Sequence, residues 1–219
     1  MILTAWLLGS GVALAAAPDL TGIWQPVTTA STLKSTDGKA VPLLPDAAAV
    51  YAKNRAALKR GDDSFDPAAQ CISPSIPWLL ADRMPLQIVS KPNNVFMLFQ
   101  WNRLFRQIDL NVAHSEPPGP TYFGQSVGRW QGDELIVDTN NIETNSLLDH
   151  AGMPHSDQLH LVERYRLKAG GKRLLLDLRI EDPQVFAAPW SARLEFRKLA
   201  GVKIQEDVCV ERLDIRKYR

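Results

Sequence analysis

The stretch YFGQSVGRWQGDELIVDTNNIETNSLLDHAGMPHSDQLHLVERYR, residues Tyr122 to Arg166, decides how the chain is read. Two strand-like runs, Tyr122–Trp130 and Glu134–Thr139, flank Gln131-Gly132-Asp133, the sharpest hairpin signal in the chain. A polar loop follows, and Gln158–Leu167 resumes the pattern as a third run. Upstream, Leu86–Ser90 and Val95–Trp101 are joined by Lys91-Pro92-Asn93-Asn94, a turn by composition, and Leu104–Leu110 comes next. Downstream, Ala169-Gly170-Gly171 leads into Arg173–Glu181. There Leu174, Leu176, Leu178 and Ile180 alternate with Arg173, Asp177, Arg179 and Glu181, one buried face against one wet face. Ala192–Arg197 and Lys203–Arg212 read as the last strands, and Asp19–Trp24 as the first. Nine or ten short strands joined mostly by tight turns make an antiparallel meander, and a meander this long closes or curls to remove its edges.

Away from the strands the chain is irregular, with one convincing helix. Asp46–Arg60 has an Ala-rich body, Asp46 as its expected N-cap and Gly61 after a basic last turn. Ala47, Val50, Tyr51, Arg55 and Leu58 share the face expected to pack on the sheet. At 219 residues the chain suits a single domain, expected over residues 16–219. A net charge of +1 and the lack of a basic stripe speak against a nucleic-acid partner.

Ile2–Ala17 is an apolar run ending in small residues, which fits the hydrophobic and cleavage regions of a secretory signal over residues 1–15, cut after Ala15. No Lys or Arg precedes it, and a buried N-terminal helix is the alternative. The run is too short to span a bilayer, so no stable membrane anchor is expected. Export places Cys71 and Cys209 in an oxidising compartment, periplasmic or extracellular, where a disulfide between them is the leading reading and two buried thiols the other.

Two resemblances add to this. Gly22-Ile23-Trp24 is similar to the opening of lipocalin-like barrels, so the mainly β fold is expected to be a lipocalin-like barrel or a strongly curved sheet. Gln125-Ser126-Val127-Gly128-Arg129-Trp130 with Gly132-Asp133, Leu135 and Val137-Asp138-Thr139 resembles a widespread family of secreted bacterial proteins. Pro154-His155-Ser156-Asp157, Glu163-Arg164 and Glu181-Asp182-Pro183 with Trp190 carry the same resemblance, which spans Asp19 to Glu211. It implies fold, export and the disulfide, and brings no activity with it. Gln125 stands where that pattern has histidine, and the loop at Cys71 and Pro74 lacks its Gly and Arg. A site built on a histidine at position 125 would not work here.

Three of the four histidines, His150, His155 and His160, fall within eleven residues beside Asp149 and Asp157. Such crowding suggests a site. In a loop they could converge on a transition metal, though the spacing of five and five puts no pair on one helix face. The sharper expectation is metal-free and cofactor-free acid–base chemistry of the lyase, isomerase or hydrolase kind on a small, partly apolar molecule. His155 is the expected proton carrier, Asp149 or Asp138 its orienting carboxylate, and Glu163 a second acid or base. Glu163 shares a strand face with Leu159, Leu161 and Tyr165, so a buried ion pair with an Arg or Tyr partner is its alternative. Trp101, Tyr122, Trp130, Asn140, Asn141, His160 and Arg164 are the expected ligand-binding residues near the barrel mouth. No Gly-rich dinucleotide loop is present. A non-catalytic ligand-binding or envelope-interaction protein on the same barrel is the rival reading.

Overall fold

A computed structural model describes residues 17–27, 31–116 and 119–217, the last four of these as helix backbone only. The expected signal segment, 1–15, lies outside the described residues. Nine strands close into a barrel in sequence order: β1 Gly22–Pro26, β2 Leu86–Ser90, β3 Asn94–Phe99, β4 Phe105–Leu110, β5 Gln125–Gln131, β6 Glu134–Asn140, β7 His160–Lys168, β8 Arg173–Glu181 and β9 Trp190–Leu199. The short β1 pairs with both β2 and β9 and so removes the two edges the meander would otherwise expose. Mainly β and closed, the architecture is that of a lipocalin-like barrel. The alternation read in β8 is its wall: Leu174, Leu176, Leu178 and Ile180 are all buried, while Arg179 is exposed.

One join departs from the expected antiparallel pattern. β4 and β5 run parallel and share only two register pairs, Asp109–Val127 and Leu110–Gly128. β5 comes in beside the second half of β4 after the long connection that a parallel pair demands. Gly124 makes the re-entry possible: it sits at φ +62°, and a Cβ there would lie 2.2 Å from the Asn140 carbonyl oxygen.

That thin seam is laced from inside by side chains. The Arg106 guanidinium donates to Ser126 Oγ of β5 at 3.0 and 2.9 Å, to Thr139 of β6 at 2.8 Å, and to both carboxylate oxygens of Glu163 on β7 at 2.8 and 2.6 Å. Tyr165 adds a hydroxyl donation to Glu163 at 2.5 Å. Arg106 is 1% exposed and Glu163 0%, so β4 to β7 are tied together by one fully buried polar network. The rest of the interior is apolar, filled by Trp24, Ile88, Met97, Ile108, Val137, Leu161, Leu194 and Phe196 among others.

Two local expectations are corrected. Lys203–Arg212 is not a strand: after an irregular 202–208 the chain forms helix α3, Cys209–Lys217. With β9 already bonded to β1, the barrel offers no edge to a tenth strand. Asn102 instead fixes the tail, its N–H donating to Asp207 at 2.6 Å and its side-chain carbonyl accepting from Cys209 N–H at 3.1 Å. The early helix, α1, spans Pro45–Lys59 with Leu44 at the N-cap, so Pro45 and not Asp46 opens it. Its buried face is Ala47, Tyr51, Asn54 and Ala57, and Val50 is exposed, because two polar residues of that face grip a neighbouring loop.

Cys71 and Cys209 form the disulfide, with their Cα atoms 5.6 Å apart and a sequence separation of 138. It pins the start of α3 to the segment before the short helix α2, Trp78–Ala81. Among the described residues no helix is long and apolar enough to cross a membrane.

Candidate functional site

The loop 148–153 is built around Asp149. This buried carboxylate accepts from the backbone N–H groups of Leu33, Ala151 and Met153, each at 3.0 Å, and from the Tyr51 hydroxyl of α1 at 2.8 Å. Burial pushes its pKa above the ordinary carboxylate value, and the four donors work against that rise. Asn54 of α1 donates to the Gly152 carbonyl at 2.8 Å. Gly152 is required at φ +88°, since a Cβ there would meet Asn54 Cβ at 2.5 Å. Asp149 is thus a framework residue. Its neighbour is the one presented.

His150 lies against the Trp78 indole, with ring centroids 3.8 Å apart and planes at 33°. Trp78 in turn meets Trp101 edge-on at 5.9 Å and donates its indole N–H to Asp66 at 3.0 Å. Arg212 of α3 sits 5.3 Å over Trp101 and is ion-paired with Asp207. These residues wall a cleft of about 750 Å³ outside the strands, completed by Asp63, Asp82, Arg83, Met84 and the disulfide residue Cys209. Its volume falls in the range of small-molecule sites, and its lining mixes aromatic surface with convergent polar groups.

The electrostatics of the cleft are perturbed. Burial pulls the His150 pKa below the usual histidine value, and the Asp82 and Asp149 charges only partly oppose this. His150 is therefore held as a neutral imidazole at neutral pH. Its Nε2 is buried without a hydrogen-bond partner among the described residues. Burial also raises Asp66, against the two hydrogen bonds it accepts from Ala68 N–H and Trp78.

The other histidines go elsewhere. His155 is buried, with Nε2 bonded to Ser146 Oγ at 2.8 Å and Nδ1 to the Ser156 carbonyl at 3.0 Å. Burial lowers its pKa as well. The expected pairing of His155 with Asp149 or Asp138 is corrected: Asp149 is spent on the loop framework, and Asp138 is taken by two other imidazoles. His160 Nε2 lies 3.0 Å from Asp138 Oδ1, and His114 Nε2 lies 2.8 Å from the same oxygen. Burial pushes Asp138 up, yet the hydrogen bonds from His114 and His160 outweigh it and hold the carboxyl below its ordinary value. His114 Nδ1 meets Gln125 Oε1 at 2.9 Å, so Gln125 touches a histidine brought from the β4–β5 connection. Among the described residues no group of three metal-ligating side chains is arranged to hold an ion.

Glu163 takes its ion-pair alternative, enclosed with Arg106 and Tyr165 and facing neither opening. Of the expected ligand residues, Trp101 walls the large cleft and Asn141 lines a smaller pocket of about 290 Å³ beside the β4–β5 seam. Arg164 points outward to Glu134 at 2.8 Å, because it falls on the wet side of β7. Tyr122, Trp130, Asn140 and His160 line neither opening. Asp66, Trp78, Asp82 and Arg212 were missed by the sequence reading. Asp66 and Asp82 flank short helical turns before β2, Trp78 opens α2 and Arg212 lies in α3, so no strand or hairpin signal marks them. The chain matches no family model and no curated protein sequence.

Proposed function

We propose that this is an exported ligand-binding barrel that takes a small, partly apolar molecule into the cleft beside His150. The observation that carries this is the His150 imidazole, whose buried Nε2 has no partner among the described residues and which stands in the wall of a cleft of about 750 Å³. A buried polar atom left unmade costs about 1–3 kcal/mol, which a bound donor recovers. Trp78 and Trp101 supply the apolar surface such a molecule needs. Export is supported by the apolar Ile2–Ala17 run, the disulfide and the resemblance to secreted bacterial proteins. The barrel interior is filled by side chains, which favours a cleft outside it over a site within the barrel.

The test is a small-molecule screen on the disulfide-bonded mature chain, read from the indole N–H signals of Trp78 and Trp101. Hits that move both signals and weaken in His150→Phe support the reading. Hits confined to other surfaces would sink it.

A second reading, acid–base catalysis in the same cleft, is favoured by one feature: the Asp82 charge acts on His150 although no hydrogen bond joins the two. A substrate group between them would meet two proton-active residues, with His150 as the carrier. Conversion of a bound ligand that stops in His150→Phe supports it. A ligand recovered unchanged after prolonged incubation leaves binding alone.

A further inference from the structure

We propose that the open edge of β4 takes an extended peptide as an added strand, with an apolar side chain over Phe105 and a basic one beside Asp109. The β4–β5 ladder holds only the pairs Asp109–Val127 and Leu110–Gly128, so the first half of β4 has no strand on that side. Which groups are left over follows from the bonds around it. Leu110 N–H donates to Asn93 and Leu104 C=O accepts from Phe99 N–H, both on the β3 side. Asn111 N–H turns the other way, to Gly128 of β5. Backbone groups alternate in direction along a strand, so the N–H and C=O groups of Phe105 and Gln107 point into the seam. Among the described residues neither has a register partner there.

Edges that are meant to stay unpaired are blunted by Lys, Pro or a covering element. This one carries Phe105, 64% exposed, beside its β3 partner Leu98, 38% exposed. The seam also stands open. A pocket of about 290 Å³ has Phe105, Gln107 and Asp109 on the β4 side and Phe123, Gln125 and Ser126 on the β5 side. Phe105 and Gln107 lie about 6.8 Å apart along the strand, the repeat at which an extended chain presents its own N–H and C=O groups. An extended peptide therefore satisfies both residues at once, which is the geometry of strand addition.

Charge narrows the peptide. The charged residues of this lining are Arg106 and Asp109. Arg106 is buried and paired with Glu163. Asp109 has only neutral partners among the described residues: its Oδ1 accepts from the side-chain amides of Asn94 and Gln107, each at 2.6 Å. Those bonds leave its negative charge uncompensated. Phe105, Gln107 and Asp109 share the outer face of β4. A peptide residue opposite Phe105 thus calls for an apolar side chain, and the one two positions along, opposite Gln107, places a Lys or Arg diagonally against Asp109.

The test titrates acetyl-Lys-Thr-Leu-Thr-Lys-amide into the mature, disulfide-bonded chain and follows the backbone amide signals of Phe105 and Gln107. Its two lysines flank the leucine symmetrically, so either strand direction brings one to Asp109. Both amides should move together and exchange with solvent at least about tenfold more slowly at saturation. The same peptide methylated on the backbone nitrogens of its three central residues should move neither. A peptide with Glu in place of both lysines should bind at least about threefold more weakly, the size of an exposed charge pair. Gln107→Pro removes a seam-facing N–H, leaves the β3 ladder intact and should abolish binding, with thermal melts checking the fold. Undiminished binding of the methylated peptide would overturn the proposal, because side chains and not an added strand would then hold it. Silence of both amides toward all three peptides would overturn it too. So would shifts of both amides with protein concentration alone, which assign the edge to a second copy of this chain. These wild-type comparisons decide the matter even where Gln107→Pro fails to fold.

Discussion

Replacing Glu163 with Gln removes one negative charge from inside the barrel and leaves Arg106 as an uncompensated buried cation. Arg106 sends two hydrogen bonds to Glu163, at 2.8 and 2.6 Å, and its other bonds go to neutral groups, the hydroxyls of Ser126 and Thr139 and the sulfur of Met97. Breaking a buried pair by deleting one partner costs about 3–5 kcal/mol, the penalty belonging mostly to the charge left behind. A domain of this kind has about 5–15 kcal/mol in total, so Glu163→Gln should remove a large part of it. The melting temperature should fall by about 6–20 °C at 2–4 °C per kcal/mol for this chain length. Removing both charges in Arg106→Met with Glu163→Leu should restore most of the loss, because Ser126 and Thr139 can still pair with each other at 3.1 Å. Urea unfolding of the wild type, Arg106→Met, Glu163→Leu and their double variant, with the disulfide intact, measures the coupling directly. If each single variant costs no more than an ordinary surface change, about 0.5 kcal/mol, the network does not hold the seam. Additive losses in the double variant would refute the reasoning just as firmly.

Three further outcomes are expected. Reducing Cys71–Cys209 opens a link across a sequence separation of 138 and should cost about 2–5 kcal/mol, read from melts with and without reductant. It should also weaken any ligand of the cleft, whose wall includes Cys209. His150 and His155 are both depressed by burial, so their stabilisation is complete above the unfolded histidine value of about 6.5. It is lost as pH falls from there through their lower folded values, with proton uptake on unfolding, and His150→Phe should flatten that part of the stability profile. Gly152→Ala combines a left-handed backbone at φ +88° with a Cβ 2.5 Å from Asn54, and should destabilise the chain by about 1–3 kcal/mol. Its signature is a displaced His150–Trp78 stack, seen as a shifted Trp78 indole signal.

The barrel was legible because its strands carry a period-two signal that local chemistry enforces. Leu174 to Ile180 alternate as a pleated wall must, and Gly132 closes the β5–β6 hairpin at φ +63°. The parallel seam was not legible, since strand direction after a long polar connection depends on where that connection returns. Lys203–Arg212 was misread for a related reason: alternation alone cannot reveal that β1 had already taken the free edge of β9. Crowded histidines drew attention to this loop, and the fold sends its rings to different surroundings. His155 stands out beside Asp157 in sequence, whereas burial spends it on Ser146 and Ser156. His150 is left over because Asp149, its neighbour, is consumed by the loop.

The position of the cleft follows from how the barrel was filled. Nine short strands enclose a space that Trp24, Phe196, Tyr165 and the Arg106–Glu163 network occupy fully. The cleft is assembled from what the strands do not use: the segments before β2 and after β9, with His150 from the β6–β7 loop and Trp101 after β3. Those two segments are distant in sequence, and the helices they carry are short, α2 with four residues and α3 with nine. The disulfide, with the Asn102 bonds to Asp207 and Cys209, therefore sets the width of the cleft as well as the stability of the fold. A wall held by one covalent bond and a few hydrogen bonds can adjust to a ligand while the barrel stays rigid.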